Sequence, residues 1–172
     1  ELKTSVATSR KKLEDAKILA KYADDFAEAW LKKDFDASLR KIDTLLESCL
    51  HWKDLHFKKI EVLSYQGQFK EALDLVWKFE REFSNEPRTK YLRGLIALYQ
   101  GNEDDAARIW NEGNLHHKNT KIFIESLERL RNAQQLKDDG KRLFKEGKFE
   151  AAMNQYLHSS LVDENNRKFN SV

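Results

Sequence analysis

The feature that most constrains this chain is a ruler of 34 residues. Small residues stand at Ser38, Ala72 and Ala106, and again at Ala152 after a longer step of 46. Glycines keep the same spacing at Gly67, Gly101 and Gly147, and so do Ala29, Leu63, Ala97 and Leu143. Aromatic residues occupy a further column at Phe35, Phe69 and Phe149, with Glu103 in the third copy. Ile42, Val76, Trp110 and Tyr156 each follow the small residue by four positions. Columns that agree on one period mean a repeated supersecondary unit. Such a unit cannot bury its apolar face alone, so the copies must stack.

Each copy reads as helix, tight turn, helix. In the second copy Leu55, Lys59, Leu63 and Tyr65 set a helical phase that runs to Gly67, whose permissive backbone ends it. Phe69, Ala72, Leu73, Val76 and Phe79 then restart the 3.6-residue period. The residue at 72 is small because the second helix must cross the first closely, at the 8–10 Å spacing of packed helices. Composition agrees: 6 glycines and a single proline, Pro87, are too few for the turns of an all-β chain. The expected class is therefore all-α.

The period and pattern resemble the tetratricopeptide repeat. Gly94 and Gly140 keep that family's first-helix glycine, while Phe26 and Ile60 replace it. The early Trp of the family is absent, with Tyr22, His56, Lys90 and Leu136 in its place, and so is the Pro at the repeat end. The resemblance implies a right-handed superhelix of antiparallel helix pairs. Its copies fall at 19–52, 53–86, 87–120 and 133–166. Residues 1–18 read as a preceding helix or a cap. Residues 121–132, with Phe123, Leu127 and Leu130 at helical spacing, read as an insert that extends the next helix into a rigid strut. Residues 167–172 read as the start of a further segment. The chain opens on Glu1, so it is expected to be a piece of something longer.

Several function classes fall away. Lys and Arg total 31 against 29 Asp and Glu, a net charge of +2, too balanced for a non-specific nucleic-acid binder. No apolar run reaches the roughly 18 residues of a membrane span. There is no Gly-rich phosphate loop, CxxC, HExxH or G-x-S-x-G. Cys49 stands alone, and His51 and His56 are five apart, off the spacing at which one helix face offers two ligands. His116 and His117 are adjacent and point apart. The acid pairs Asp24–Asp25, Asp104–Asp105 and Asp138–Asp139 suit helix starts and turns. The expectation is a non-enzyme with no cofactor and no metal. A single cysteine and no signal peptide fit a reducing, cytoplasmic setting.

What remains is a binding surface. By the resemblance, the first helix of each copy lines a groove. The candidate peptide-binding residues are Phe57, Tyr65, Arg88, Tyr91, Leu92, Leu95 and Tyr99. The same groove is equally compatible with being covered by residues 1–18 or by neighbouring helices. The last copy, "KDDGKRLFKEGKFEAAMNQY", is similar to the repeats of cytosolic J-domain co-chaperones that carry tetratricopeptide repeats. That likeness implies protein partners: heat-shock chaperones of the seventy- and ninety-kilodalton classes, or client segments. In that family a carboxylate clamp begins with a Lys and, four residues on, an Asn. Lys137 matches the Lys and Lys141 replaces the Asn, a partial clamp. Ala23, Ala27 and Leu92 fill clamp positions elsewhere, and no His-Pro-Asp tripeptide is present. An interaction module of a co-chaperone adaptor, monomeric, is the expected function. A helical-repeat scaffold in an unrelated trafficking or regulatory assembly is the alternative.

Overall fold

The structure, a computed structural model, describes residues 2–49, 51–83, 85–118 and 120–161, with side chains described at 13, 16–49 and from there to 159. Among these residues every regular element is an α-helix. In chain order they are α1 (Leu2–Leu31), α2 (Phe35–Ser48), α3 (Lys53–Tyr65), α4 (Phe69–Glu82), α5 (Pro87–Tyr99), α6 (Glu103–His116), α7 (Lys121–Lys145) and α8 (Phe149–Leu161). The second helices of the four pairs begin at 35, 69, 103 and 149, which reproduces the steps of 34, 34 and 46. The chain divides into two compact units, 1–62 and 63–172.

In the first unit α1 runs unbroken from Leu2 to Leu31. Residues 2–18 are therefore continuous with the first helix of the first pair, since no glycine or proline interrupts the chain before Lys32. The turn into α2 closes by Lys33 N donating to Trp30 O and Asp34 N to Ala29 O, both at 3.0 Å. Asp34 then caps α2, its carboxylate accepting from Ala37 N at 2.9 Å. Ser38, Ile42 and Leu45 of α2 are fully buried.

The second unit repeats the same turn. Gly67 N donates to Ser64 O and Gln68 N to Leu63 O; Gly101 N to Leu98 O and Asn102 N to Ala97 O; Gly147 N to Phe144 O and Lys148 N to Leu143 O. This paired closure of the last helical carbonyls is the Schellman arrangement, which needs a left-handed residue at its centre. The glycines supply it, with φ of 77°, 87° and 77°. In the first unit the corresponding residue is Lys33, at φ 56°. The column Ala29, Leu63, Ala97 and Leu143 is thus the set of carbonyls that accept the closing bond.

The small column is buried throughout: Ala72, Ala106 and Ala152 leave almost nothing exposed. Glycines inside helices serve contact instead of turning. A Cβ on Gly94 would overlap the Trp110 indole, one on Gly113 would lie 2.5 Å from the Phe123 ring, and one on Gly140 would lie 3.0 Å from the Tyr156 ring. α7 is continuous over 25 residues, about 37 Å at 1.5 Å per residue. Residues 121–132 lie inside it, with Phe123 and Leu130 buried. Residues 162–172, including the end of the fourth copy and the expected further segment at 167–172, lie outside the described residues.

Candidate functional site

A cleft of about 90 Å³ opens inside the 63–172 unit. Tyr65 from the end of α3 and Tyr91, Leu95, Leu98 and Tyr99 from α5 form one wall. Ser126, Arg129, Leu130, Ala133 and Lys137 of α7 form the other, and Glu103 and Trp110 of α6 and Ser159 of α8 close it. The α7 residues 126, 130, 133 and 137 follow i, i+4, i+7, i+11, so one helix face supplies the wall.

The aromatic groups hold one another in place. Tyr65 and Tyr99 meet edge to face with ring centroids 5.2 Å apart. Tyr91 and Trp110 stack at 6.2 Å and 16°. Trp110 is buried and its indole N–H donates to Tyr91 O at 3.0 Å, so its one polar atom is satisfied. That bond fixes the indole over Gly94 and sets the floor of the cleft.

Charge is confined to the rim. Lys137 binds the carboxylate of Glu103, both about one quarter exposed. Arg129 donates from Nε to Glu125 O at 3.4 Å and makes no ion pair among the described residues. Lys141 is largely exposed and pairs with Asp138 at 3.2 Å. Further along α7, Asp139 is held below its ordinary carboxyl value by the hydrogen bond from Arg142 and then by that from Gln135. Glu146 is lowered in the same way, first by Lys148. Among the described residues no cluster of His, Cys, Asp and Glu is placed to hold a metal ion. Nor, among the described residues, is any helix long and apolar enough to cross a membrane.

Of the groove residues expected from sequence, the structure gathers Tyr65, Tyr91, Leu95 and Tyr99 in the cleft, together with Lys137. It does not bring the others there. Phe57 and Leu92 are buried in the core and do not line the cleft. Leu92 follows Tyr91 on α5, and a step of one residue turns a side chain by about 100° away from its neighbour's direction. Arg88 is exposed and, like Lys141, lies off the lining. The α7 wall and Trp110 were missed as lining. The i, i+4, i+7, i+11 line through 121–137 was the signal for the wall; nothing in sequence marked Trp110 as more than a packing residue.

No protein-family model matches the chain. A crystal structure of the P58(IPK) TPR domain superposes with a TM-score of 0.52 at 14% identity, covering 94% of this chain and 45% of that one. The fold is that of a tetratricopeptide-repeat domain. Among curated proteins, this repeat domain is similar to human DnaJ homolog subfamily C member 7, 27% identical over 178 residues, 99% of this chain and 35% of the relative. The mouse protein of the same name is 26% identical over 178 residues, again 99% of this chain and 35% of the relative. A Dictyostelium discoideum homologue of that protein is 25% identical over 135 residues, 78% of this chain and 25% of the relative. The repeat domain thus spans about a third or less of the length of the curated relatives it matches.

Proposed function

We propose that this tetratricopeptide-repeat domain is a non-catalytic protein-interaction module of the co-chaperone type, acting in the cytoplasm. Its cleft between α5 and α7 takes an apolar segment of a heat-shock chaperone or of a client protein. The likeness to DnaJ homolog subfamily C member 7 supports the partner class. The observation that carries the reading is the cleft itself, an apolar slot walled by three tyrosines and a tryptophan. Its volume is below the roughly 150 Å³ that admits benzene, so it suits an aliphatic side chain.

The rim argues against an acidic tail as the preferred ligand. The ammonium of Lys137 already has a carboxylate partner in Glu103, which any incoming carboxylate must displace. Lys141 is exposed, and an exposed pair contributes about 1 kcal/mol at best. Micromolar binding requires about 8 kcal/mol. Titration at physiological salt tests this, with tryptophan fluorescence as the readout because Trp110 lines the cleft. A peptide with a central leucine should bind and shift the emission, and an acidic tail peptide should bind weakly or not at all. Micromolar binding of the acidic peptide that disappears in the Lys137→Ala, Lys141→Ala double variant would move the site from the cleft to the partial clamp.

A further inference from the structure

Arg129 stands on the lip of the cleft with its charge unanswered. It lines the slot, and its one hydrogen bond among the described residues runs from Nε to the Glu125 carbonyl at 3.4 Å. The two terminal nitrogens of its guanidinium have no partner among those residues. Elsewhere in the same unit Arg93, Arg108 and Arg142 each bind a carboxylate, at 3.2, 2.8 and 3.0 Å. The carboxylate of Glu125, one turn before Arg129, is bound by Lys121 at 3.2 Å. Glu128, the adjacent acid, is turned by about 100° and does not line the slot.

Arg129, Ala133 and Lys137 form one row of α7 at four-residue steps, all three on the lining. Eight residues separate the two cations, about 12 Å along the axis. The two ends differ in charge. Lys137 is bound by Glu103, so that end presents a neutral pair, and a carboxylate arriving there meets the one already in place. The Arg129 end is positive. Ala133 between them is small and leaves the row open.

We infer that the segment held in this cleft carries one Asp or Glu side chain within one or two residues of its aliphatic anchor, and that Arg129 binds this carboxylate. The inference rests on the cleft reading above and adds the polar half of the ligand. A guanidinium fork takes both oxygens of a carboxylate. One or two residues of extended chain span about 3–7 Å, which matches the step of about 6 Å from Arg129 to Ala133 on the wall. Capture of a chain terminus draws on several convergent backbone donors. The lip supplies a single fork, so the carboxylate belongs to a side chain within the segment. Acid on one flank of the anchor only is the expected pattern, because Glu103 opposes it on the other.

Isothermal titration with acetylated, amidated peptides tests this. One peptide is neutral with a central leucine; two others carry a single Glu, two residues before the leucine or two residues after it. One of the acidic pair should bind about two- to fivefold tighter than the neutral peptide at low salt, and the gain should shrink as salt rises. Arg129→Gln should remove the gain and leave the affinity of the neutral peptide unchanged. Arg131→Gln makes the same charge change about 200° around the helix, off the lining, and should keep the gain. Both positions are exposed, so both variants should fold. Equal gains for the two acidic peptides, or a gain that survives Arg129→Gln, would show general attraction to a basic surface and overturn the proposal. So would a gain confined to a peptide that ends on the leucine with a free carboxylate. If the neutral peptide binds and the acid adds nothing, the cleft reading stands and this inference fails; if none of the peptides binds, both fail.

Discussion

The indole of Trp110 occupies the space that a side chain on Gly94 would need. A Cβ at 94 would overlap the indole nitrogen and lie 2.6 Å from Cδ1. The two positions are 16 apart, and the same offset links Gly140 to Tyr156, Ile60 to Val76 and Phe26 to Ile42. Where the first helix has glycine the second has a large aromatic residue; where the first is bulky the second is aliphatic.

Gly94→Ala should therefore destabilise by about 1–3 kcal/mol, the overpacking range. Adding Trp110→Val, the partner found beside Ile60, removes the clash. The Gly94→Ala penalty should shrink by at least about 0.5 kcal/mol in that background. Urea denaturation of the two single variants and the double measures it, and a fully additive double would mean that the two sites do not share space.

Lys33 should gain from becoming glycine. It holds φ at 56° where the three later turns use glycine. A left-handed backbone costs a non-glycine residue about 1–2 kcal/mol. The extra freedom of glycine in the unfolded chain returns about 0.4–1 kcal/mol of that. Lys33→Gly should thus stabilise by about 0.5–1 kcal/mol, read as a raised midpoint in thermal or urea unfolding.

Glu103→Gln should improve binding of acidic peptides. It removes the Glu103 carboxylate from Lys137 while keeping the shape of the rim. Removing that one competing carboxylate from beside a partly exposed ammonium is worth up to about 1 kcal/mol, roughly fivefold in affinity at low salt, and less as salt rises. Unchanged affinity in this variant would show that the acidic peptide does not visit the rim.

The tail of α7 should weaken in acid. Asp139 and Glu146 sit below their ordinary values because Arg142 and Lys148 stabilise their charged forms. A depressed folded value contributes stability that is complete above the unfolded carboxyl range and is lost as pH falls through the folded value. Amide protection factors in the last turns of α7, taken against the intrinsic exchange rate at each pH, should fall below about pH 4. Asp139→Asn should flatten that dependence, and Glu128→Gln, which changes an exposed acid elsewhere on α7, should not.

The turns and the crossings were legible because they are local and repeated. The Schellman glycines recur at steps of 34 and 46 residues, and the small column marks where second helices are buried. The site was legible only in part. α5 buries Thr89, Leu92, Leu95, Ile96 and Tyr99 together, so it has little polar face from which to read direction. Tyr91 and Leu92 look equally suited to a groove, yet only Tyr91 lines the cleft. The α7 wall lies partly in residues 121–132, which depart from the period, and a repeat alignment passes over them. The neutralisation of Lys137 comes from a residue 34 positions away on another helix, a pairing that composition and spacing do not encode.

α7 has a thermodynamic consequence beyond its length. Stacked repeats are well described as a row of units, each with its own intrinsic folding free energy and a coupling to its neighbour. Such a row can fray one unit at a time. Here one helix serves two neighbours: Phe123 inserts against α6 near its start, and Gly140 receives Tyr156 of α8 near its end. Releasing the fourth pair would strand more than half of α7 as an isolated helix, which is marginal in water at that length. The last two pairs are thereby merged into one cooperative melting block, and the weakest joint of the 63–172 unit is displaced toward its earlier helices.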